Sequence, residues 1–176
     1  QSFEEMINNT EYVVYGEIVE KTTDGQTVNT LRVLENIKGD LQGERYISIE
    51  EYGYTSDDFT AKILGDVSFE IGKRYLLFLW KTNGGTYKTS LMALSVYEEG
   101  VKDNKTILAH PYQMHQECFV GSVDHELTGA YDKQLMLDQI NSIVKTPQEW
   151  NKFKAGFIDA PSPIKIKSEN QNDLKE

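Results

Sequence analysis

The sequence predicts a mainly β domain of five to six strands followed by helices, arranged as an antiparallel barrel or a small sandwich. Over about the first 110 residues, short runs rich in β-branched and aromatic residues alternate with turn sequences. These runs follow one another in hairpin order, which favours antiparallel pairing. Beyond about residue 130, the spacing of apolar residues changes from two to about 3.6, the period of a helix. A β part therefore precedes a helical part.

The chain begins with the pattern of a short helix. In "SFEEMINNT", Ser2 is the predicted N-cap, and Glu5 occupies the reciprocal position of a capping box. The apolar residues Phe3, Met6 and Ile7 share one face of this helix. We expect that face to lie on a sheet.

Two long strands follow and form a predicted hairpin over residues 11–38. The first, "EYVVYGEIVEK", is rich in β-branched and aromatic residues and changes its pattern at Gly16, where we expect a bend or a bulge. "TTDGQ" supplies the turn, and "TVNTLRVLENIKG" is the return strand.

Four more strands are expected before the helices. The third is "RYISIE", and the fourth is "KRYLLFLWK", which is apolar at every position from Tyr75 to Trp80. Such a run is typical of a strand covered on both faces, so we place it at the centre of the sheet. "TNGG" is a predicted hairpin turn that leads to a fifth strand, "TYKTSLMALSVY", and "TILAH" is a short sixth.

Two helices are expected over about residues 132–156. "DKQLMLDQINSIV" places its apolar residues on one side, and "KTP" ends it. "TPQE" then begins a second helix with Thr146 as its cap, and Gly156 ends that helix. We therefore expect a single domain over residues 1–158 and a polar, flexible tail over residues 159–176.

Composition limits the classes of function. The formal net charge is -10, which argues against binding of nucleic acid or anionic membrane surfaces. No apolar run is long enough to span a bilayer, and one cysteine cannot form an internal disulfide. We expect a monomer that is located outside a bacterial cell or on its surface after removal of an export signal.

Two stretches carry a resemblance to a known class of proteins. They are "VVYGEIVEKTTDGQTVNTLRVLENIKGDLQG" and "FEIGKRYLLFLWKTNGGTYK". They resemble exported bacterial proteins in which a helix leads to a "VVVG" strand, a strand ending in "LKGD" and later "GERYLLFL". That class is similar in fold to the OB-type barrel of netrin-like modules and tissue inhibitors of metalloproteinases. The resemblance implies an OB-like barrel over roughly the first 100 residues and rests on no catalytic motif.

The inhibitory mechanism of those inhibitors is not implied. They hold the zinc of their target through an amino-terminal cysteine, whereas this chain begins "QSFEE" and has no cysteine before Cys118. Inhibition of a secreted protease is therefore a prediction from fold analogy alone. An OB-like barrel still presents loops and an open sheet face to proteins, sugars or oligonucleotides.

The loop "EYGYTSDDFT" is the first candidate binding site. Tyr52, Tyr54 and Phe59 offer flat apolar rings, and Asp57 and Asp58 add carboxylates, a combination suited to a sugar ring or a protein partner. The spaced ligands of a calcium-binding loop are absent. The alternative is a long barrel loop whose rings pack back onto the sheet.

The second candidate is the segment "HPYQMHQECFVGSVDH". It contains His110, His115, Cys118 and His125, which are side chains that bind zinc or copper. Their spacing matches no established zinc pattern. The alternatives are a buried thiol among ordinary histidines, or a cysteine nucleophile, for which an acidic surrounding is unfavourable.

The sequence contains no phosphate-binding loop, no "HExxH" and no nucleophile elbow. We therefore expect a non-catalytic module, exported or on the cell surface, that binds a protein or a carbohydrate and needs no cofactor. The first alternative is a protein that binds zinc or copper through residues 110–125, and the second is a protease inhibitor.

Overall fold

The structure is a computed structural model that describes residues 2–56, 58, 60–61, 67–111 and 126–159. Within these ranges the chain forms two α-helices, nine strands and one 3₁₀ turn. They are α1 (Phe3–Asn9), β1 (Tyr12–Lys38), β2 (Tyr46–Thr55), β3 (Thr60–Ala61), β4 (Arg74–Lys81), β5 (Tyr87–Thr89), the 3₁₀ turn (Met92–Ser95), β6 (Val96–Lys102), β7 (Lys105–Ala109), β8 (Ala130–Asp132), α2 (Lys133–Lys145) and β9 (Phe157–Asp159).

Five strands close into a barrel when the two arms of the long strand β1 are counted separately. The first arm pairs with β4 and the second arm pairs with β2, both antiparallel. β5 then joins β2 to β4 and completes the ring. From the edge of β4 that also pairs with β5, the sheet continues through β6, β7, β8 and β9. The fold is therefore a mainly β barrel with a sheet extension.

Glycine allows the two arms of β1 to approach closely. A Cβ atom on Gly16 would lie 2.4 Å from the carbonyl oxygen of Arg32 in the other arm. At the turn, Gly25 has a φ of +73°, a conformation that L residues rarely adopt. The predicted turn "TTDGQ" therefore contains a glycine in the conformation that the turn requires. At Gly16 the pairing of β1 with β4 continues without a shift of register, so the bulge that was one of the two expectations there is not present.

Two apolar cores lie on opposite sides of β4. Tyr75, Leu77 and Leu79 are buried inside the barrel, whereas Leu76 and Phe78 are buried under the helices. The prediction of a strand covered on both faces is therefore confirmed for these residues. Trp80 differs, because 39% of it is exposed.

The predicted start of α1 is confirmed. The Ser2 hydroxyl accepts a hydrogen bond from the amide of Glu5, and the Glu5 carboxylate accepts one from the amide of Ser2. Phe3, Met6 and Ile7 are buried against the sheet. The capping box and the apolar face therefore act as the local pattern predicts.

The expectation of a wholly antiparallel barrel of five to six strands is wrong in three respects. The sheet of the described residues has nine strands, of which five close the barrel when the two arms of β1 are counted separately. β2 and β5 run parallel, with Ile49 opposite Tyr87. In a closed ring of five strands the directions cannot alternate all the way round, so at least one neighbouring pair must be parallel. The predicted fifth strand is also divided, because Met92 has a φ of 50° and the 3₁₀ turn separates β5 from β6.

The second of the two predicted C-terminal helices is not present among the described residues 147–156. The Asn151 side chain accepts hydrogen bonds from the amides of Phe153 and Lys154, and only a short turn follows. Trp150 is held elsewhere, since its ring stacks on Phe3 and its amide donates to Glu4. These tertiary contacts replace the helix that Thr146 was predicted to cap, and the unpredicted strand β9 follows.

Candidate functional site

The candidate site lies on the outer side of the barrel, on β2, β4 and β5. Along β2 the residues Tyr46, Ser48, Glu50, Tyr52 and Tyr54 occupy alternate positions, and Ile47 and Ile49 between them are buried. Successive side chains of a strand point to opposite faces, so the first half of β2 separates an apolar inner side from a polar outer side. The register of β2 against β1 shifts between Glu50 and Tyr54, so the positions of Tyr52 and Tyr54 follow from their own contacts.

Tyr52 is the centre of the site. Its hydroxyl donates a hydrogen bond to the carbonyl oxygen of Thr89 over 2.7 Å. The same hydroxyl oxygen accepts a hydrogen bond from Nε1 of Trp80 over 3.2 Å. These two bonds connect β2 to β5 and β4, and they hold both rings in one orientation.

Two opposite charges lie beside the Tyr52 ring. Nζ of Lys88 is 4.8 Å from the ring centroid, a cation–π distance, and 3.8 Å from Oε2 of Glu50. The other oxygen of Glu50 accepts a hydrogen bond from the Thr86 hydroxyl over 2.9 Å. Since Thr86 belongs to the turn that joins β4 to β5, the turn "TNGG" and β2 are coupled here.

Tyr54 lies beside the turn of β1. A Cβ atom on Gly25 would be 2.7 Å from the Tyr54 ring, so a larger residue at Gly25 would displace that ring. Tyr54 is 46% exposed, which is more than Trp80 at 39%. We call Tyr52, Tyr54 and Trp80, together with Lys88 and Glu50, the aromatic surface.

The structure brings together only part of the first predicted site. Tyr52 and Tyr54 belong to the aromatic surface, and Asp58 is exposed beyond the end of β2. Asp57 and Phe59 lie outside the described residues. The alternative prediction, that the rings of this loop pack back onto the sheet, applies in part to Tyr52, which is anchored yet still partly exposed.

Sequence reasoning missed Trp80, Lys88 and Glu50. Trp80 was predicted to be covered because it ends an apolar run. The alternation in "YISIEEYGYT" was the signal that could have located the outer side of β2 and hence Glu50. No local signal could pair Trp80 with Tyr52, since the two residues lie on different strands.

The second predicted site is only partly within the described residues. His110 is fully buried at the end of β7, where its amide donates to the carbonyl oxygen of Gly129 and its ring faces that of Tyr97. His115, Cys118 and His125 lie outside the described residues. The described part of the chain contains no group of three potential metal ligands, and the metal site stays a prediction.

A further polar cluster lies where α2 meets the barrel. The Tyr15 hydroxyl and Nζ of Lys133 both donate to Glu99, the latter over 2.6 Å. Burial by itself raises the pKa of Glu99, but the hydrogen bonds from Lys133 and Tyr15 outweigh burial and hold that pKa below its ordinary value. An ionised carboxylate satisfied by two donors is a weak base, so this cluster is suited to joining elements and not to proton transfer.

Comparison with models of protein families gave no match, and comparison with curated proteins gave none either. Among the described residues, no helix is both long and apolar enough to cross a membrane.

Proposed function

We propose that the protein is a non-catalytic binding module, exported to the surface or the outside of a bacterial cell, whose aromatic surface holds a protein or carbohydrate partner. The observation that carries this proposal is the hydrogen-bonded chain from Trp80 through Tyr52 to the backbone of Thr89. It holds two partly exposed rings in one orientation without any ligand.

Ordered rings favour binding for two reasons. Tryptophan and tyrosine contribute large contact areas and dominate the energetics of many interfaces. Immobilising a flexible side chain on binding costs about 0.5 to 1.5 kcal/mol. Because hydrogen bonds already order Tyr52 and Trp80 in the folded protein, binding of a partner avoids much of this cost. The aromatic surface is thus prepared for contact.

Strand order supports the OB-like description of the barrel. β4, the two arms of β1 and then β2 lie side by side in the order of a Greek key, in which the fourth strand returns beside the first. A five-stranded Greek-key barrel is the OB arrangement, which binds ligands on its second and third strands and on the loops after its first and fourth strands. Tyr52 and Tyr54 lie on β2, the third strand of the barrel along the chain, and the turn that holds Thr86 joins β4 to β5, which supports the proposal.

Cosedimentation with cell-envelope fragments of the producing organism tests the proposal. The full chain is expected to sediment with the fragments, and Trp80→Ala is expected to lower the bound fraction at least tenfold. The expected loss reflects both the missing ring and the lost hydrogen bond to Tyr52.

Phe153→Ala is the matched control, because Phe153 is an aromatic residue with 77% exposure that lies outside the aromatic surface. This control should bind like the unaltered protein. Absence of cosedimentation by the unaltered protein, or an equal loss in both variants, would contradict the proposed function.

A further inference from the structure

The aromatic surface exposes the faces of its rings to solvent more than the polar atoms of those rings. Nε1 of Trp80 and the hydroxyl of Tyr52 already hydrogen-bond within the protein. What Trp80 presents to solvent is therefore chiefly the surface of its indole ring. The face of an aromatic ring is electron-rich and attracts weakly positive C–H groups, which line one side of a sugar ring.

Polar groups lie directly beside those ring faces. The side chains of Lys88 and Glu50 are 23% and 25% exposed. An ammonium group has three donors and a carboxylate has about four acceptor sites, so both groups retain capacity after their contact with each other. Donors, acceptors and flat apolar faces thus converge on one small area.

This combination favours a saccharide over a dry protein interface. The cores of protein interfaces are depleted of charged residues, and removing an ion pair from water carries a desolvation cost of several kcal/mol per ion. Sugar hydroxyls both donate and accept hydrogen bonds. They can therefore replace the water around Lys88 and Glu50 while the sugar ring stacks on Trp80.

The charge of the protein indicates which class of saccharide the aromatic surface can bind. Lys88 and Glu50 sum to zero at the centre of the surface, while the whole chain carries a formal charge of -10. An acidic protein repels anionic polysaccharides at long range, and a paired centre gives them no compensating site. We propose that the aromatic surface binds a neutral saccharide, an inference that rests on the proposed function and specifies its ligand.

Tryptophan fluorescence can report on this surface directly. The chain has two tryptophans, so Trp150→Phe leaves Trp80 as the only one and keeps an aromatic ring against Phe3. This full-length variant is titrated with four neutral polysaccharides, hydroxyethyl cellulose, pullulan, galactomannan and dextran, and with anionic alginate. At least one neutral polysaccharide is expected to shift Trp80 emission to the blue and to protect it from acrylamide.

Substitution of Glu50 tests whether a change in Trp80 emission comes from binding at the aromatic surface or from an effect of the polysaccharide on the solvent. In the single-tryptophan protein, Glu50→Gln is expected to weaken saccharide binding about tenfold, because it removes a charge-assisted hydrogen bond. Phe153→Ala should leave the titration unchanged. Emission that no neutral polysaccharide alters, an equal response to alginate, or an undiminished response in Glu50→Gln overturns the inference.

Treatment of the envelope fragments distinguishes this inference from the proposed function. Periodate oxidises the vicinal diols of sugars, whereas proteinase K removes proteins. Cosedimentation abolished by periodate and resistant to proteinase K supports a saccharide ligand. Cosedimentation abolished by proteinase K and resistant to periodate overturns the saccharide and retains the binding module. Absence of cosedimentation before any treatment overturns both.

Discussion

The carboxylate of Glu99 connects three elements through a few atoms. It lies on β6 and accepts hydrogen bonds from Tyr15 on β1 and from Lys133, the first residue of α2. Nζ of Lys133 also lies 4.5 Å from the centroid of the Tyr15 ring. The pKa of the Tyr15 phenol is raised, first by burial and then by its hydrogen bond to Glu99. The protonated phenol and the ionised carboxylate therefore stabilise each other.

Glu99→Gln is expected to lower the free energy of unfolding at neutral pH by about 1 kcal/mol, or about 2 to 4 °C in Tm. A carboxyl group with a depressed folded-state pKa stabilises the fold above its unfolded pKa and loses this contribution as pH falls through the folded value. The difference in Tm between the variant and the unaltered protein should therefore shrink once the pH falls below the ordinary glutamate pKa of about 4.3, and vanish below the lower pKa of folded Glu99. Thermal unfolding followed by circular dichroism across pH measures it.

The exposed Glu149 provides the control, because Glu149→Gln removes the same charge from the surface. Glu149→Gln should leave Tm nearly unchanged at each pH. A deficit in Glu99→Gln that stayed constant from neutral to acidic pH would contradict an electrostatic role for Glu99.

At the level of elements, local signals were predictable and distant contacts were not. The capping box of α1, the glycine turn of β1 and the start of α2 each depend on residues within a few positions of one another. The parallel pair of β2 and β5, the strand β9 and the position of Trp150 depend on contacts between residues far apart in sequence. No local pattern carries that information.

In the candidate site, too, some residues were predictable from a local pattern and others were not. Tyr52 and Tyr54 were predictable because tyrosines and acids are concentrated in one short stretch. Trp80 and Lys88 join them only because β5 returns beside β2 as the barrel closes. The aromatic surface is therefore a product of strand order more than of any single segment.

Gly16→Ala tests the close approach of the two arms of β1. A Cβ atom would meet the backbone oxygen of Arg32 at 2.4 Å, which a rotamer change cannot relieve. We expect a loss of about 2 to 3 kcal/mol in the free energy of unfolding, measured by urea titration. Gly84→Ala is the control, since the nearest atom there is 3.8 Å away. Similar stability for both variants would contradict the close approach.

At the level of the molecule, the helices cover one side of the sheet and leave another side for contact. α1 and α2 bury Leu76, Phe78 and Tyr97, whereas Tyr46 and Tyr54 remain exposed on β2. This arrangement explains why one barrel carries two apolar cores and still presents aromatic side chains. The uncovered side is where we propose that a partner binds.

The predicted metal site is tested on the whole protein. If residues 110–125 bind zinc or copper, untagged protein should contain the metal in stoichiometric amount, and Cys118→Ala should lose it. Elemental analysis of both proteins after identical purification measures this. Metal-free unaltered protein, or equal metal content in the variant, would contradict the prediction.

The contact of Trp150 with α1 brings two parts of the chain that are far apart in sequence close together in space. Glu4 accepts a hydrogen bond from the amide of Trp150, and the rings of Phe3 and Trp150 lie 3.9 Å apart. Residues near both limits of the described fold thus meet at one place. A linker that joins residue 159 to residue 2 and so keeps β9 is expected to give a circular permutant, with new ends opened at the tight turn of Asp103 and Asn104. The architecture would then be independent of where its polypeptide starts.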